Sequence, residues 1–205
     1  MIKTAVLVSG GGTNLQALIN AEKGGIIKSG TIALVLSNKE GAYALERAKA
    51  AGIESLVLLR KDYSSQDAYE DAMIRVLREK GIEFIVLAGF MSILGKRFVN
   101  AFEGRIINVH PALIPSFCGK GYFGLKVHEE ALKKGVKVTG ATVHYVNEIA
   151  DGGEIIEQKA VRVRKNDTPE ILQKRVMRQA EWIILPRATE KVCKKLLKEK
   201  KGERK

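Results

Sequence analysis

Residues 4–8 (Thr-Ala-Val-Leu-Val) run directly into Ser9-Gly10-Gly11-Gly12-Thr13-Asn14, and these into 15–19 (Leu-Gln-Ala-Leu-Ile) with helical spacing. The first piece reads as a buried strand and the last as a helix, joined by a glycine turn. Such a join is either a plain tight turn or a phosphate cradle. In a cradle, glycines let backbone N–H groups approach an anion, and the helix N-terminus adds the positive end of its dipole. Thr13 and Asn14 can cap the helix or donate to the anion. A dinucleotide fingerprint is not completed. Gly10 and Gly12 fit it, but Leu15 stands where the third glycine belongs, and the next strand ends in Ser37-Asn38-Lys39 without a ribose-binding acid. A single phosphate, such as a sugar phosphate, is expected in preference to NAD.

Strand and helix patterns then alternate. A strand at 31–36 precedes a helix at 41–51, and a strand at 54–59 precedes an amphipathic helix at 63–81 with Ala68, Ala72, Val76 and Leu77 on one face. A fourth strand spans 82–88, followed by the apolar loop 89–95. Beyond a glycine- and aromatic-rich loop at 115–124, a helix is expected at 125–134 and long β patterns at 137–146 and 154–163. Asp167-Thr168-Pro169-Glu170 starts a last helix, which Pro186 kinks or divides. This order predicts an α/β fold: a doubly wound, mostly parallel twisted sheet with a mixed β-rich C-terminal extension and a long C-terminal helix.

The chemistry concentrates at 105–115, Arg-Ile-Ile-Asn-Val-His-Pro-Ala-Leu-Ile-Pro. Apolar β-branched residues ending at Pro111 read as a short buried strand. Asn108 and His110 are two apart, so they share a face at the strand's C-terminal mouth, where open α/β sheets hold ligands. Alone, the pair can simply be a hydrogen-bonded strand end. Thr142 and His144 repeat the same spacing.

The 205 residues suit one domain, with 45% hydrophobic content sufficient for a core. No apolar stretch approaches the ~18 residues of a membrane span, and the start lacks a signal-peptide pattern. Cys118 and Cys193 match no metal spacing, which points to a reducing cytoplasm. The net charge of +12 raises nucleic-acid binding, but residues 187–205 hold nine Lys/Arg and three Glu, half of the excess. No nucleic-acid or membrane partner is expected.

In order along the chain stand Ser-Gly-Gly-Gly-Thr-Asn at 9–14, Ser-Asn-Lys at 37–39, Leu-Ala-Gly-Phe-Met-Ser-Ile-Leu at 87–94, Ile-Asn-Val-His-Pro-Ala-Leu-Ile-Pro at 107–115, Thr-Gly-Ala-Thr-Val-His at 139–144 and Asp-Gly-Gly at 151–153. This ordered set resembles the folate-dependent glycinamide ribonucleotide formyltransferases of purine synthesis, over residues 1 to about 186. The resemblance implies a Rossmann-like formyltransferase fold in one domain over 1–205. Within it, 1–104 is the phosphate-binding half, 105–186 the catalytic and folate-binding half, and 187–205 a basic helix end and tail. It implies transfer of the formyl group of 10-formyltetrahydrofolate, a co-substrate, to the amine of glycinamide ribonucleotide, without metal, by a cytoplasmic monomer or homodimer. Asn108, His110 and Asp151 match the catalytic trio. Gly12, Thr13, Asn14 and Glu181 match the ribonucleotide site. Gln66, Met91, Ser92, Ile93, Leu94 and Asn147, with Asn108 and Asp151, match the folate site. Against the family pattern, Gln66 replaces a basic residue of many relatives, Lys126 a histidine of some, and the last helix holds one extra residue before Glu181.

The residue types suit the chemistry. Asn108 and His110 can donate to the oxyanion that develops in formyl transfer. A carboxylate at Asp151 is expected to raise the pKa of His110 and to relay a proton. Gly12→Val is expected to weaken ribonucleotide binding. Competing readings are a methionyl-tRNA formyltransferase, a formyltetrahydrofolate hydrolase, and a non-catalytic nucleotide-binding module using only the glycine loop.

Overall fold

The computed structural model describes residues 1–202, so the end of the basic tail, 203–205, lies outside the described residues. Strands β1 (Ile2–Val8), β2 (Gly30–Ser37), β3 (Ser55–Val57), β4 (Phe84–Leu87), β5 (Ile106–His110), β6 (Val138–Tyr145) and β7 (Ile155–Arg162) form one sheet in the order β3-β2-β1-β4-β5-β6-β7. The strands from β3 across to β5 are parallel, and β6 pairs antiparallel with both β5 and β7. The chain steps outwards from β1 to β3 and then crosses to β4 on the other side of β1. This reversal opens a crevice beyond the C-terminal ends of β1 and β4.

Helices α1 (Thr13–Lys23), α2 (Tyr43–Ala50), α3 (Gln66–Glu79), α4 (Lys96–Ala101), α5 (Leu125–Lys134), α6 (Pro169–Val176) and α7 (Trp182–Gly202) complete the fold, with a π turn at Met177–Glu181 between the last two. Along β1 the side chains divide with period two. Val6 and Val8 join α1, α2, α6 and α7 in one core, while Ala5 and Leu7 join α3 and α4 in the other. Strands buried on both faces explain the unbroken apolar runs at β1 and β4.

Local structure departs from the sequence reading at three places. Helix α3 begins at Gln66, because the Ser65 side chain caps it by accepting the Ala68 N–H. Its buried face is Tyr69, Met73, Ile74 and Leu77, while Ala68, Ala72 and Val76 are half-buried. The larger side chains take the core because each removes more apolar area from water. Helix α4 has no clear sequence pattern. It is short and depends on the buried Glu70 carboxylate of α3, which accepts the Gly95 N–H at 2.6 Å and the Phe98 N–H at 3.3 Å. Pro186 lies inside α7 without ending it, and the irregularity falls upstream, at the π turn. A proline ring crowds the carbonyl four residues back, here Trp182, where the wider π turn hands over to α7.

Candidate active site

The C-terminal ends of β1, β4 and β5 open into a cavity of about 900 Å³. At its β5 wall Ile107 and Val109 point into the core with α1 and α7, so period two sends Asn108 and His110 to the opposite face. The antiparallel register sets His144 opposite Asn108 and Thr142 opposite His110. The Thr142 hydroxyl donates to the Ala112 carbonyl at 2.7 Å and accepts the Ile114 N–H at 3.1 Å, tying down the chain after Pro111.

Asp151 comes from the turn between β6 and β7 and takes φ +55°, a left-handed conformation that a short polar side chain tolerates. The turn is closed by glycine: a Cβ at Gly153 would sit 1.8 Å from the Tyr145 carbonyl oxygen. Oδ2 of Asp151 accepts the Gly119 N–H at 2.8 Å and lies 3.5 Å from His110 Nδ1, and Oδ1 lies 3.5 Å from His144 Nε2. Partners assign the ring protons. His110 Nε2 faces the Phe117 carbonyl at 2.8 Å and His144 Nδ1 the Tyr145 carbonyl at 2.8 Å, so both of these nitrogens carry hydrogen. His144 Nε2 then accepts one amide hydrogen of Asn108 at 3.3 Å, leaving the second to point elsewhere.

Burial pushes the His110 pKa down, outweighing the upward pull of Asp151 and of the Phe117 carbonyl, so the net shift is below the ordinary value. The sequence expectation of a raised His110 is therefore corrected. Asp151 is held below the usual carboxylate range: burial pulls it up, but the His144 and His110 rings beside it and the Gly119 N–H together outweigh burial. The resting arrangement is a charged carboxylate beside a neutral imidazole.

Across the cavity, the first turn of α1 meets the π turn. Gly12, at φ +68°, caps α1 without a side-chain bond, and the first helical bond is Gln16 N–H to the Gly12 carbonyl. The N–H groups of Thr13, Asn14 and Leu15 thus have no partner within the helix. A Cβ at Gly10 or Gly11 would meet nothing within 4 Å, whereas one at Gly12 would sit 2.6 Å from Ala44 Cβ. The first two glycines leave open space, and the third is required for packing against α2. Glu181, buried at the end of the π turn, accepts from Asn14 Nδ2 at 2.7 Å. Burial raises its pKa to about 7 against the opposing pull of Asn14.

Thr13, Asn14, Met91, Ser92, Ile93, Asn108, His110, Asp151 and Glu181 all line this cavity. Four expected residues do not. Gly12 packs against α2, and Leu94 packs against the α3–α4 core. Gln66 bonds Arg60 and Glu70, and Asn147 spends its amide within its own turn, on Gly152 and Ile149. The loop 89–95 is positioned by Ser9, whose hydroxyl accepts the Met91 N–H at 2.8 Å, and by Asn38, which donates to the Ser92 hydroxyl at 2.7 Å. Lys39, Lys120, Tyr122, Gln173 and Met177 also line the cavity and were not singled out, because tertiary folding of loops, of α6 and of the π turn places them there. His128 lines it too, fully buried and driven by burial to a pKa of about 4, so it is neutral. Among the described residues no group of three or more His, Cys, Asp or Glu side chains could hold a metal ion, and no helix is long and apolar enough to cross a membrane.

Residues 2–189 match the sequence profile described as formyl transferase. The chain belongs to the formyl transferase family. Over 192 residues it is 47% identical to the trifunctional purine biosynthetic protein adenosine-3 of Gallus gallus, covering 94% of this chain and 18% of that protein. With the phosphoribosylglycinamide formyltransferase of Haemophilus influenzae it shares 43% identity over 186 residues, 91% of this chain and 84% of the relative. The crystal structure of glycinamide ribonucleotide transformylase 1 from Symbiobacterium toebii superposes with a TM-score of 0.89 at 40% identity, over 95% of this chain and 88% of that one.

Proposed function

We propose that this chain transfers the formyl group of 10-formyltetrahydrofolate to the amine of glycinamide ribonucleotide, yielding formylglycinamide ribonucleotide and tetrahydrofolate, a step of purine (IMP) biosynthesis. One observation carries the reading: Asn108, His110, His144 and Asp151 form a single contact network at the mouth of β5, and the Asn14–Glu181 pair lines the same cavity. The first is equipment for acyl transfer, and the second suits an anionic, amine-bearing acceptor.

The free N–H groups at the start of α1, reached over the open Gly10 and Gly11, hold the phosphate. Glu181 faces the acceptor's amino end. The flat ring system of the formyl donor fits against loop 89–95, where the Met91 and Ile93 side chains are exposed. Gln66 supports this loop through Glu70, which accepts the Gly95 N–H, and Asn147 holds the 147–152 turn that carries Asp151.

The acceptor amine adds its lone pair to the formyl carbon, and the formyl oxygen gains negative charge. Asn108, oriented by His144, donates its second amide hydrogen to that oxygen. His110 donates Nε2–H after exchanging the Phe117 carbonyl for the formyl oxygen. The bond to the donor nitrogen then breaks. The proton lost by the amine ends on that nitrogen, with Asp151 as carrier through water. The reading places the enzyme in the cytoplasm as a monomer or homodimer acting on dissolved small molecules.

The test is to supply 10-formyltetrahydrofolate with either glycinamide ribonucleotide or initiator methionyl-tRNA and to follow the formylated product. Formylation of the ribonucleotide alone is expected. Formylation of the tRNA, or release of formate without an acceptor, would replace this reading with one of its rivals.

A further inference from the structure

A second cavity, of about 430 Å³, lies between α1, α2 and the start of α7 and shares only Thr13 with the first. Its body is apolar, walled by Ala17, Ala21, Ile26, Ile183 and Pro186, with the Trp182 indole beside them. Its charged groups are Arg47 and Arg187, and no Asp or Glu lines it. Arg187 has only a loose, exposed ion pair with Glu157 at 3.6 Å. Arg47 donates to the Gly11 carbonyl and to Gln16 Oε1, contacts without charge compensation, and lies 4.9 Å from the Tyr43 ring centre. The Trp182 Nε1–H is buried and has no hydrogen-bond partner. An apolar hollow of this size, with donors and positive charge but no negative charge, is complementary to a ligand with a flat apolar body and an anionic end.

We infer that this cavity is a second ligand site, taking a nucleoside monophosphate, with the base in the apolar body beside Trp182 and the phosphate between Arg47 and Arg187. Guanidinium groups pair with phosphate in a forked geometry, and an indole offers an apolar face to a heteroaromatic ring. Inorganic phosphate alone would leave the apolar walls uncovered, and a nucleoside alone would leave the arginines unpaired. The site is distinct from the ribonucleotide cradle, since neither Arg47 nor Arg187 lines the first cavity.

Trp182 is the only tryptophan, so its fluorescence reports on this cavity directly. The full chain is titrated with adenosine 5′-monophosphate, and separately with adenosine and with inorganic phosphate. A saturable fluorescence change is expected for the nucleotide, with apparent affinity roughly tenfold or more above that for either fragment. Arg187→Ala, at an exposed position outside the first cavity, should weaken nucleotide binding by roughly tenfold while formyl transfer persists. Absence of a saturable change would overturn the inference. So would equal affinity in Arg187→Ala, because the nucleotide would then sit in the cavity at the β5 mouth. Equal affinity for inorganic phosphate would reduce the site to an anion contact and overturn it as well.

Discussion

Glu181 shows how a single position couples chemistry to stability. Its pKa stands at about 7 in the folded chain against an ordinary 4.5, with burial as the main cause. The neutral acid therefore favours the fold fully below pH 4.5, and that contribution is lost as the pH rises through about 7. We expect the Glu181 contribution to urea-unfolding stability to fall by on the order of 3 kcal/mol across that window, against the rise contributed by His128 and His110, so that stability of Glu181→Gln climbs more steeply with pH than that of the unsubstituted chain. An unchanged slope in the variant would show that Glu181 is not the group responsible. His144→Phe removes the acceptor that orients the Asn108 amide. It should lower kcat about tenfold or more with little change in ribonucleotide KM, whereas loss of KM alone would remove the orienting role. At this scale the sequence was informative where side-chain parity decides the outcome: Asn108 and His110 had to share a face. It was silent on the net pKa of His110, because the burial that outweighs Asp151 is set by tertiary packing. It also suggested Gly12 as an anion contact, and the structure adds that any Cβ there would meet Ala44.

Elements were legible where their ends carry their own signals. Helix α5 lies between Gly124 and Gly135, the latter at φ +75°, and its bounds follow from sequence alone. Helix α4 was not legible, because its N-terminal cap is Glu70, a residue of α3 that looks solvent-facing in one dimension. Glu70→Ala should destabilise the chain by about 2–4 kcal/mol, measured by denaturant unfolding, since it leaves the half-buried Gly95 N–H and the buried Phe98 N–H unpaired. A cost below about 0.5 kcal/mol would mean that α4 stands without this cap. The glycine turn separates into two parts in the same way. Gly12→Val should unfold the chain at lower temperature, because it meets Ala44 and forces a β-branched residue to positive φ. Gly10→Val should keep the unfolding temperature and raise ribonucleotide KM, since Gly10 lines the cavity and a Cβ there meets nothing within 4 Å. The reverse pattern would place the anion elsewhere.

For the molecule as a whole, the strand order was legible only as a class. Alternating strands and helices imply a doubly wound sheet, but the reversal beside β1 and the antiparallel β6 and β7 emerge from long-range pairing. That topology gathers the glycine turn, loop 89–95, the β5 mouth and the β6–β7 turn around one cavity, although Ser9 and Asp151 stand far apart in the chain. The cavity places a charged carboxylate within 3.5 Å of two imidazoles, on the same network as the amide that would receive a developing oxyanion. The most direct test of this account is the steady-state rate of formyl transfer to glycinamide ribonucleotide by Asp151→Asn, set beside its thermal unfolding. The account predicts a kcat lowered by about 10²-fold or more with the unfolding temperature unchanged. A kcat within about twofold of the unsubstituted protein would contradict it.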